Sequence, residues 1–311
     1  MTGPPEAAAP PARPSPWRRR LGLLAGLLVL VFLGVALVDG WSAVSQYDWN
    51  LQPGVLALGC LVLLAFYLAS GVGYLAIIDR LHHGGPRPLV MLDIWGRSLL
   101  GRYVPGNVLM VVGRVVLSYE RGVPRRSTVA AMVYEQVLTV AVGAAGAVAF
   151  VAFYSGGGDG RLWLLALLPL GLLFLTPRVF GPATAYVLRR FKREPLPRLL
   201  ATRTLFALVA WYTFAAVLLG VGIWLLVVSA AGTGSGDLAY VGLAFLLSFA
   251  ISMIAFIFPS GLGVREGVFA LALAQNVPGS VAVALSVGVR LVLTLVELAF
   301  IGIVYLAARS R

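Results

Sequence analysis

Charged residues are scarce in this chain of 311 residues: they make up 12% of it, against about 25% in an average soluble domain. Cysteine is nearly absent, and the lone Cys60 excludes both a disulfide framework and a cysteine metal site. The two histidines, His82 and His83, are adjacent in a Gly/Pro-rich turn, and we expect no metal and no cofactor. Apolar residues, by contrast, reach 60%, and the mean hydropathy is +0.93. This composition predicts an all-α polytopic membrane protein.

Long apolar runs predict the membrane segments. Crossing about 30 Å of hydrocarbon takes about 20 residues of helix. Six runs serve as full crossings, at 21–38, 53–78, 128–154, 161–176, 204–230 and 280–307. Two further regions, 89–117 and 238–276, are interrupted by Pro and Gly, and we expect each to form a re-entrant hairpin.

The N-terminal 16 residues contain six prolines and lack apolar periodicity. They are predicted to form a disordered cytoplasmic tail, followed by a single transmembrane domain over 17–311. The first apolar run is interpreted as a retained signal-anchor helix, because it is long for a cleaved signal peptide.

Loop charges predict the orientation. With six crossings and two hairpins, almost all loop arginines fall on one side of the membrane. Only Arg161 falls on the other side, beside Asp39, Asp48, Asp159 and Asp237. The positive-inside rule then places both termini in the cytoplasm and the chain in the cytoplasmic membrane. The net charge of +12 needs no nucleic-acid partner, and the basic loops are expected to contact an anionic lipid surface. If 238–276 crossed fully, the C-terminal tail would lie outside.

A spacing of 154 residues recurs along the chain. It separates Pro105 from Pro259 (259 − 105) and Pro124 from Pro278 (278 − 124). The predicted topologies of the two halves are mirror images across the membrane plane. Inverted repeats with broken helices are typical of alternating-access transporters. We therefore predict an inverted repeat, with halves at about 21–154 and 161–307; the alternative is that both breaks are helix kinks or surface loops.

Nine charged residues fall within the predicted membrane segments. They are Arg97, Arg102, Arg114, Arg265, Arg290, Asp93, Glu135, Glu266 and Glu297. A charge at the centre of a membrane helix costs about 2.5–3.5 kcal/mol on insertion scales, so pairing or function must compensate for it. Arg102 and Arg265 flank the two breaks, and half-helices start near Asn107 and Ser260. Free N–H groups at those starts, with the two guanidiniums, predict a phosphate site.

Structural pairing is the competing interpretation of these charges. Arg265 could pair with Glu266 or Glu297, and Arg102 with Glu135 or Glu120, which would only brace the hairpins.

The remaining embedded charges have local interpretations. Arg97 and Asp93 are four residues apart on one helix face and can pair. Arg114 is expected to extend to the cytoplasmic surface, and Glu135 to reach cytoplasmic water or an arginine. Arg290 and Glu297 are seven residues apart, and we expect their shared face to point inward.

Several motifs resemble one family of membrane proteins. They are GRYVPGNVLMVVGR at 101–114, the following ERGVP, the helix with Tyr134-Glu135-Gln136, and FPSGLGVREG at 258–267. In this order they resemble the lysylphosphatidylglycerol synthase transmembrane family, a flippase-like domain. By motif position, the family's polar residues correspond to Arg102, Asn107, Arg114, Glu135, Arg265 and Glu266.

The resemblance implies translocation of a phosphate-bearing lipid, either aminoacyl-phosphatidylglycerol or a polyprenyl-phosphate-linked sugar. It also implies a stand-alone member without the soluble synthase domain, so we expect no enzymatic activity. The substrate-binding candidates are Arg102, Asn107, Arg114, Glu135, Ser260, Arg265, Glu266, Arg290 and Glu297. Two alternatives stay open: an intramembrane lipid-modifying enzyme, for which no suitable loop carboxylates are found, and an accessory or scaffold subunit of a cell-envelope synthesis complex. A homo-oligomer or a synthase is a further expected partner.

Overall fold

The computed structural model describes residues 41–49, 51–103, 108–154, 200–254 and 263–309, and the isolated positions 166, 181 and 182. Within these ranges every regular element is a helix. The α-helices are α1 (Trp41–Gln46), α2 (Pro53–Leu81), α3 (Pro88–Leu99), α4 (Val108–Tyr119), α5 (Arg125–Tyr154), α6 (Thr202–Ala231), α7 (Leu238–Ile254), α8 (Val264–Leu273) and α9 (Gly279–Arg309). Two 3-10 turns, Leu100–Tyr103 and Thr233–Ser235, complete them.

Four of these helices, α2, α5, α6 and α9, are long and apolar enough to cross a membrane. They contain 29, 30, 30 and 31 residues, which at about 1.5 Å per residue exceeds a hydrocarbon core of about 30 Å. Their outer surface is apolar: Leu61, Leu291, Leu295 and Leu306 are each more than 60% exposed. The prediction of a polytopic membrane protein is confirmed at this level, since leucine on an outer surface suits lipid rather than water.

The long helices match four predicted runs within a few residues. The predicted tail and the runs 21–38 and 161–176 lie outside the described residues, so the six-crossing count is not tested. Both broken regions are broken in the structure as well: 89–117 becomes α3, a 3-10 turn and α4, and 238–276 becomes α7 and α8. The breaks themselves, at 104–107 and 255–262, lie outside the described residues.

Each short pair is a hairpin, because its outer ends meet. The loop before α3 touches the loop after α4: a Cβ at Gly85 would lie 3.8 Å from Val123 Cγ2. At the other pair, the Tyr240 hydroxyl near the start of α7 donates to the Ala272 carbonyl near the end of α8, at 2.5 Å. We call α3–α4 the first hairpin and α7–α8 the second.

The two hairpins open at opposite ends of the bundle. Helices α2 and α6 are antiparallel, since Gln52 N–H donates to Ser229 O at 2.8 Å and Arg80 donates to Thr204 Oγ1 at 2.9 Å. The first hairpin follows the C-terminal end of α2, whereas the second follows the C-terminal end of α6, which lies beside the start of α2. The inner ends of the described hairpin helices therefore point toward the middle of the bundle.

Glycine residues allow the two central helices, α2 and α6, to pack closely against each other. A Cβ at Gly222 of α6 would lie 2.6 Å from Leu63 of α2, and a Cβ at Gly59 would lie 3.2 Å from Leu225 Cβ. Small residues at such crossings let backbones approach, which is how membrane helices gain packing energy without water to drive association. The α2–α6 pair forms the centre around which the hairpins and the outer long helices pack.

Candidate functional site

The polar centre of the molecule lies where the first hairpin tip meets the middle of α2 and α9. Arg102, in the 3-10 turn that follows α3, lies with Nη1 3.4 Å from Glu297 Oε2 on α9. The same carboxylate oxygen accepts a hydrogen bond from the Tyr67 hydroxyl at 3.0 Å. Tyr67 is 14 residues from each end of α2 (67 − 53 and 81 − 67), about 21 Å at the helical rise. The carboxylate of Glu297, 3% exposed, is therefore held near mid-depth.

The second hairpin forms an ion pair with α9 through its second helix, α8. Glu266 lies in the first turn of α8, where its Oε2 accepts from the Gly263 N–H at 2.6 Å. Gly263 has φ +84, a conformation that favours glycine and allows the tight turn into the helix. The other oxygen, Oε1, lies 3.5 Å from Arg290 Nε on α9. The Glu266 backbone carbonyl also accepts from Ser286 at 2.8 Å, which ties α8 to α9.

Arg265 has a different environment from its neighbours. Its guanidinium carbon lies 5.0 Å from the centre of the Phe249 ring and 5.8 Å from that of Phe245, both on α7. Its Nε is buried and has no hydrogen-bond partner. It has no ion pair with a carboxylate among the described residues, although it is within Coulombic range of Glu266, Arg290 and Arg102. Cation–π contacts stabilise this charge only in part.

A small cavity, partly open to the surroundings, lies beside this arginine. It is lined by Phe245, Arg265, Glu266, Phe269, Ser286 and Arg290. We call the five charged residues at this centre, Arg102, Arg265, Glu266, Arg290 and Glu297, the central cluster. It contains three arginines and two glutamates, so an anion entering the cavity meets a surplus of positive charge.

A second buried group braces the first hairpin against α5. Arg114 of α4 is 1% exposed, forms an ion pair with Glu135 and donates through Nε to Ser98 at 2.8 Å. Trp95 Nε1 donates to Glu135 at 2.7 Å, and the Tyr74 ring faces the guanidinium at 4.7 Å. Both members of the pair are thus well bonded, as a buried ion pair requires for its stability.

Several sequence predictions about pairing are settled by these contacts. The expectation that Arg114 extends to the cytoplasmic surface is wrong, because its side chain is enclosed by α2, α3 and α5. The specific partners named under the competing interpretation are also wrong: Arg102 pairs with Glu297 rather than with Glu135 or Glu120, and Glu266 pairs with Arg290 rather than with Arg265.

Other predictions are confirmed. Arg97 and Asp93 form the i,i+4 pair, at 2.5 Å. Glu135 has an arginine partner. Arg290 and Glu297 both turn into the bundle, where each binds a charge on a hairpin. Asn107 and Ser260 lie outside the described residues.

The structure adds polar partners that the sequence did not single out. Tyr67, Trp95 and Ser98 each bond a member of the two buried groups. An isolated Tyr or Trp in an apolar run carries no distinguishing sequence signal, since such residues are common in membrane helices. Among the described residues no group of three or more His, Cys, Asp or Glu could hold a metal ion.

Comparison with family models, with curated proteins and with solved structures found no match. The motif resemblance to the lysylphosphatidylglycerol synthase transmembrane family therefore stays a prediction.

Proposed function

We propose that this protein is an integral membrane transporter that moves a phosphate-bearing lipid between leaflets, with the headgroup in the central cluster and the tails in the bilayer. The proposal rests on the environment of Arg265. Its guanidinium, in the first turn of α8, has no ion pair to a carboxylate among the described residues, and it lines a cavity with a second arginine.

The energetic argument starts from the cost of that charge. A buried arginine in a membrane costs about 2.5–3.5 kcal/mol on insertion scales, and an unpaired one is kept where it has a task. Guanidinium groups bind phosphate through paired, charge-assisted hydrogen bonds and stay protonated in apolar surroundings. Arg265 and Arg290 face the same cavity, and Arg102 lies within Coulombic range. A phosphate there would find three cationic groups.

The architecture supports alternating access. The hairpins open at opposite ends, and each is followed by a long helix. Those two helices begin 154 residues apart, at Arg125 and Gly279 (279 − 125), the spacing that the proline pairs show. We infer an inverted repeat whose two hairpins meet at the central cluster. Rocking of one half against the other would then open the cavity to each side in turn.

The orientation follows from charge. The end of the bundle at which α2 ends and α6 begins carries seven arginines and two acids among the described residues: Arg80, Arg87, Arg121, Arg125, Arg126, Arg203, Arg309, Asp79 and Glu120. The opposite end carries Asp48 and Asp237 and no arginine or lysine among the described residues. The positive-inside rule assigns the arginine-rich end to the cytoplasm, and with it the C-terminal end of α9. The motif resemblance supports lipid transport. It names aminoacyl-phosphatidylglycerol or a polyprenyl-phosphate-linked sugar as substrate.

One observation favours a second candidate function, an accessory subunit of a cell-envelope synthesis complex. Four of the five embedded arginines have a carboxylate partner, as purely structural charges would. The Arg102–Glu297 pair separates the two functions. Exchanging the charges, with Arg102→Glu and Glu297→Arg together, should restore a structural pair and leave an accessory role intact. In a transporter the exchange should abolish movement of the lipid.

Reconstitution tests the leading proposal. The purified protein is placed in liposomes with NBD-labelled phosphatidylglycerol or an NBD-labelled polyprenyl-phosphate-linked sugar, and probe movement is followed by dithionite quenching. Wild type should move one of the probes, and Arg265→Gln should reduce the rate at least about tenfold through loss of one charge-assisted contact.

The matched control is Asp93→Asn with Arg97→Gln, which removes an embedded ion pair outside the cavity and should leave the rate unchanged. Equal rates for wild type and Arg265→Gln would refute a site at this arginine. No movement of either probe by folded wild type would favour the accessory role.

A further inference from the structure

Among the described helices, every embedded charge except that of Arg265 lies in an ion pair with a charge of opposite sign. Asp93 pairs with Arg97 and Arg114 with Glu135, so both of these groups are neutral. In the central cluster, Glu297 pairs with Arg102 and Glu266 with Arg290. Each of these carboxylates lies within ion-pair distance of a guanidinium, so the two pairs are formally neutral. Arg265 is left over, and the cluster carries a net charge of +1.

A net charge inside a bilayer is costly, because the low dielectric strengthens its self-energy and every uncompensated interaction. A ligand with one negative charge brings the cluster to zero. A ligand with two negative charges takes it to −1, which leaves a buried surplus of the opposite sign. The cluster should therefore distinguish ligands by the number of charges that they carry.

Resting on the proposed function, we propose that the central cluster is matched to a single negative charge, that of a phosphodiester headgroup, and discriminates against the dianion of a phosphomonoester. Arg265 and Arg290 line one small pocket between α7, α8 and α9. The Nε of Arg265 is buried there without a hydrogen-bond partner, and a phosphodiester would give the two guanidiniums an anionic partner.

The test compares two lipids with identical tails. Dihexanoyl phosphatidylglycerol is a diester with one charge, and dihexanoyl phosphatidic acid is a monoester that carries two charges at pH 8.5, well above a second phosphate pKa of about 6. Binding to purified protein in detergent is measured by calorimetry in two buffers of different ionisation enthalpy. We expect the diester to bind at least about tenfold more tightly, without proton exchange, and the monoester to take up about one proton when it binds.

Two tail-free probes separate a lipid site from a site for a free anion. Dimethyl phosphate and inorganic phosphate offer the same charges without the tails, and both should bind much more weakly than the diester lipid. If dimethyl phosphate bound as tightly as that lipid, the lipid part of the proposal would be overturned.

Charge variants sharpen the comparison. Glu297→Gln raises the net charge of the cluster to +2 and should shift the preference toward the monoester by about tenfold. The control Asp93→Asn adds the same charge outside the central cluster and should leave the preference as in wild type. Equal binding of both lipids without proton uptake would overturn the proposal, as would a Glu297→Gln preference identical to wild type. Failure of wild type to bind either lipid, or full binding by Arg265→Gln, would instead remove the proposed site itself.

Discussion

Replacing Arg265 by methionine should make the protein more stable while it abolishes transport. Methionine keeps the length of the side chain and suits the apolar surroundings of Phe245 and Phe249. The change removes a buried charge that costs about 2.5–3.5 kcal/mol on insertion scales. It also removes cation–π contacts, which contribute about 2 kcal/mol in a desolvated site. The difference is a gain of about 0.5–1.5 kcal/mol in the free energy of unfolding.

The assay is thermal unfolding of purified protein in detergent without added phospholipid, so that no bound headgroup offsets the charge. Arg309→Met is the matched control, because Arg309 stacks on Tyr305 at 4.8 Å at the exposed end of α9. That change removes a contact of the same kind without relieving a buried charge, and should lower stability by about 0.5–1 kcal/mol. A loss of 1 kcal/mol or more in Arg265→Met would refute the reasoning, since it would mean that the guanidinium stabilises the fold.

Three further changes test the packing around the site, each by thermal unfolding in detergent. Arg114→Met should lower the free energy of unfolding by about 3–5 kcal/mol, because Glu135 is left buried without its counter-charge. Adding Glu135→Leu should recover most of that stability. No recovery would mean that the shape of the side chains matters more than their charge. Tyr67→Phe removes a hydrogen bond to a carboxylate and should cost about 1.5–3 kcal/mol; an unchanged midpoint would indicate that water replaces the hydroxyl. Gly71→Val should cost at least about 1–3 kcal/mol, because a Cβ there would lie 2.3 Å from a leucine of α3, whereas Gly54→Ala, with no atom within 4 Å, should be nearly neutral.

The ion pairs between embedded charges were predictable from the sequence only when both partners lie on the same helix. The Arg97–Asp93 pair was predictable because helical geometry brings residues four apart onto one face. Partners on different helices were not, since Arg102 and Glu297 are 195 residues apart (297 − 102). Which helix faces which hairpin tip depends on packing of the whole bundle, and no local periodicity encodes it.

The sequence by itself determined the class of the protein and its main divisions. Apolar runs of sufficient length can be stable only as membrane helices, because an unbonded backbone is too costly in lipid. Proline and glycine interrupted the runs at the two places where the structure has short hairpins, and the charged residues of the centre could be read directly from the sequence.

Tertiary structure decided which of these charges compensate one another. In the folded bundle Arg114 is buried against Glu135. Arg102 pairs with Glu297, and Arg290 pairs with Glu266. Arg265 instead contacts two aromatic rings beside a cavity. The physical reason is that ion pairing in a low dielectric depends on distances of a few ångströms between side chains from separate helices. Those distances are set only when the helices pack.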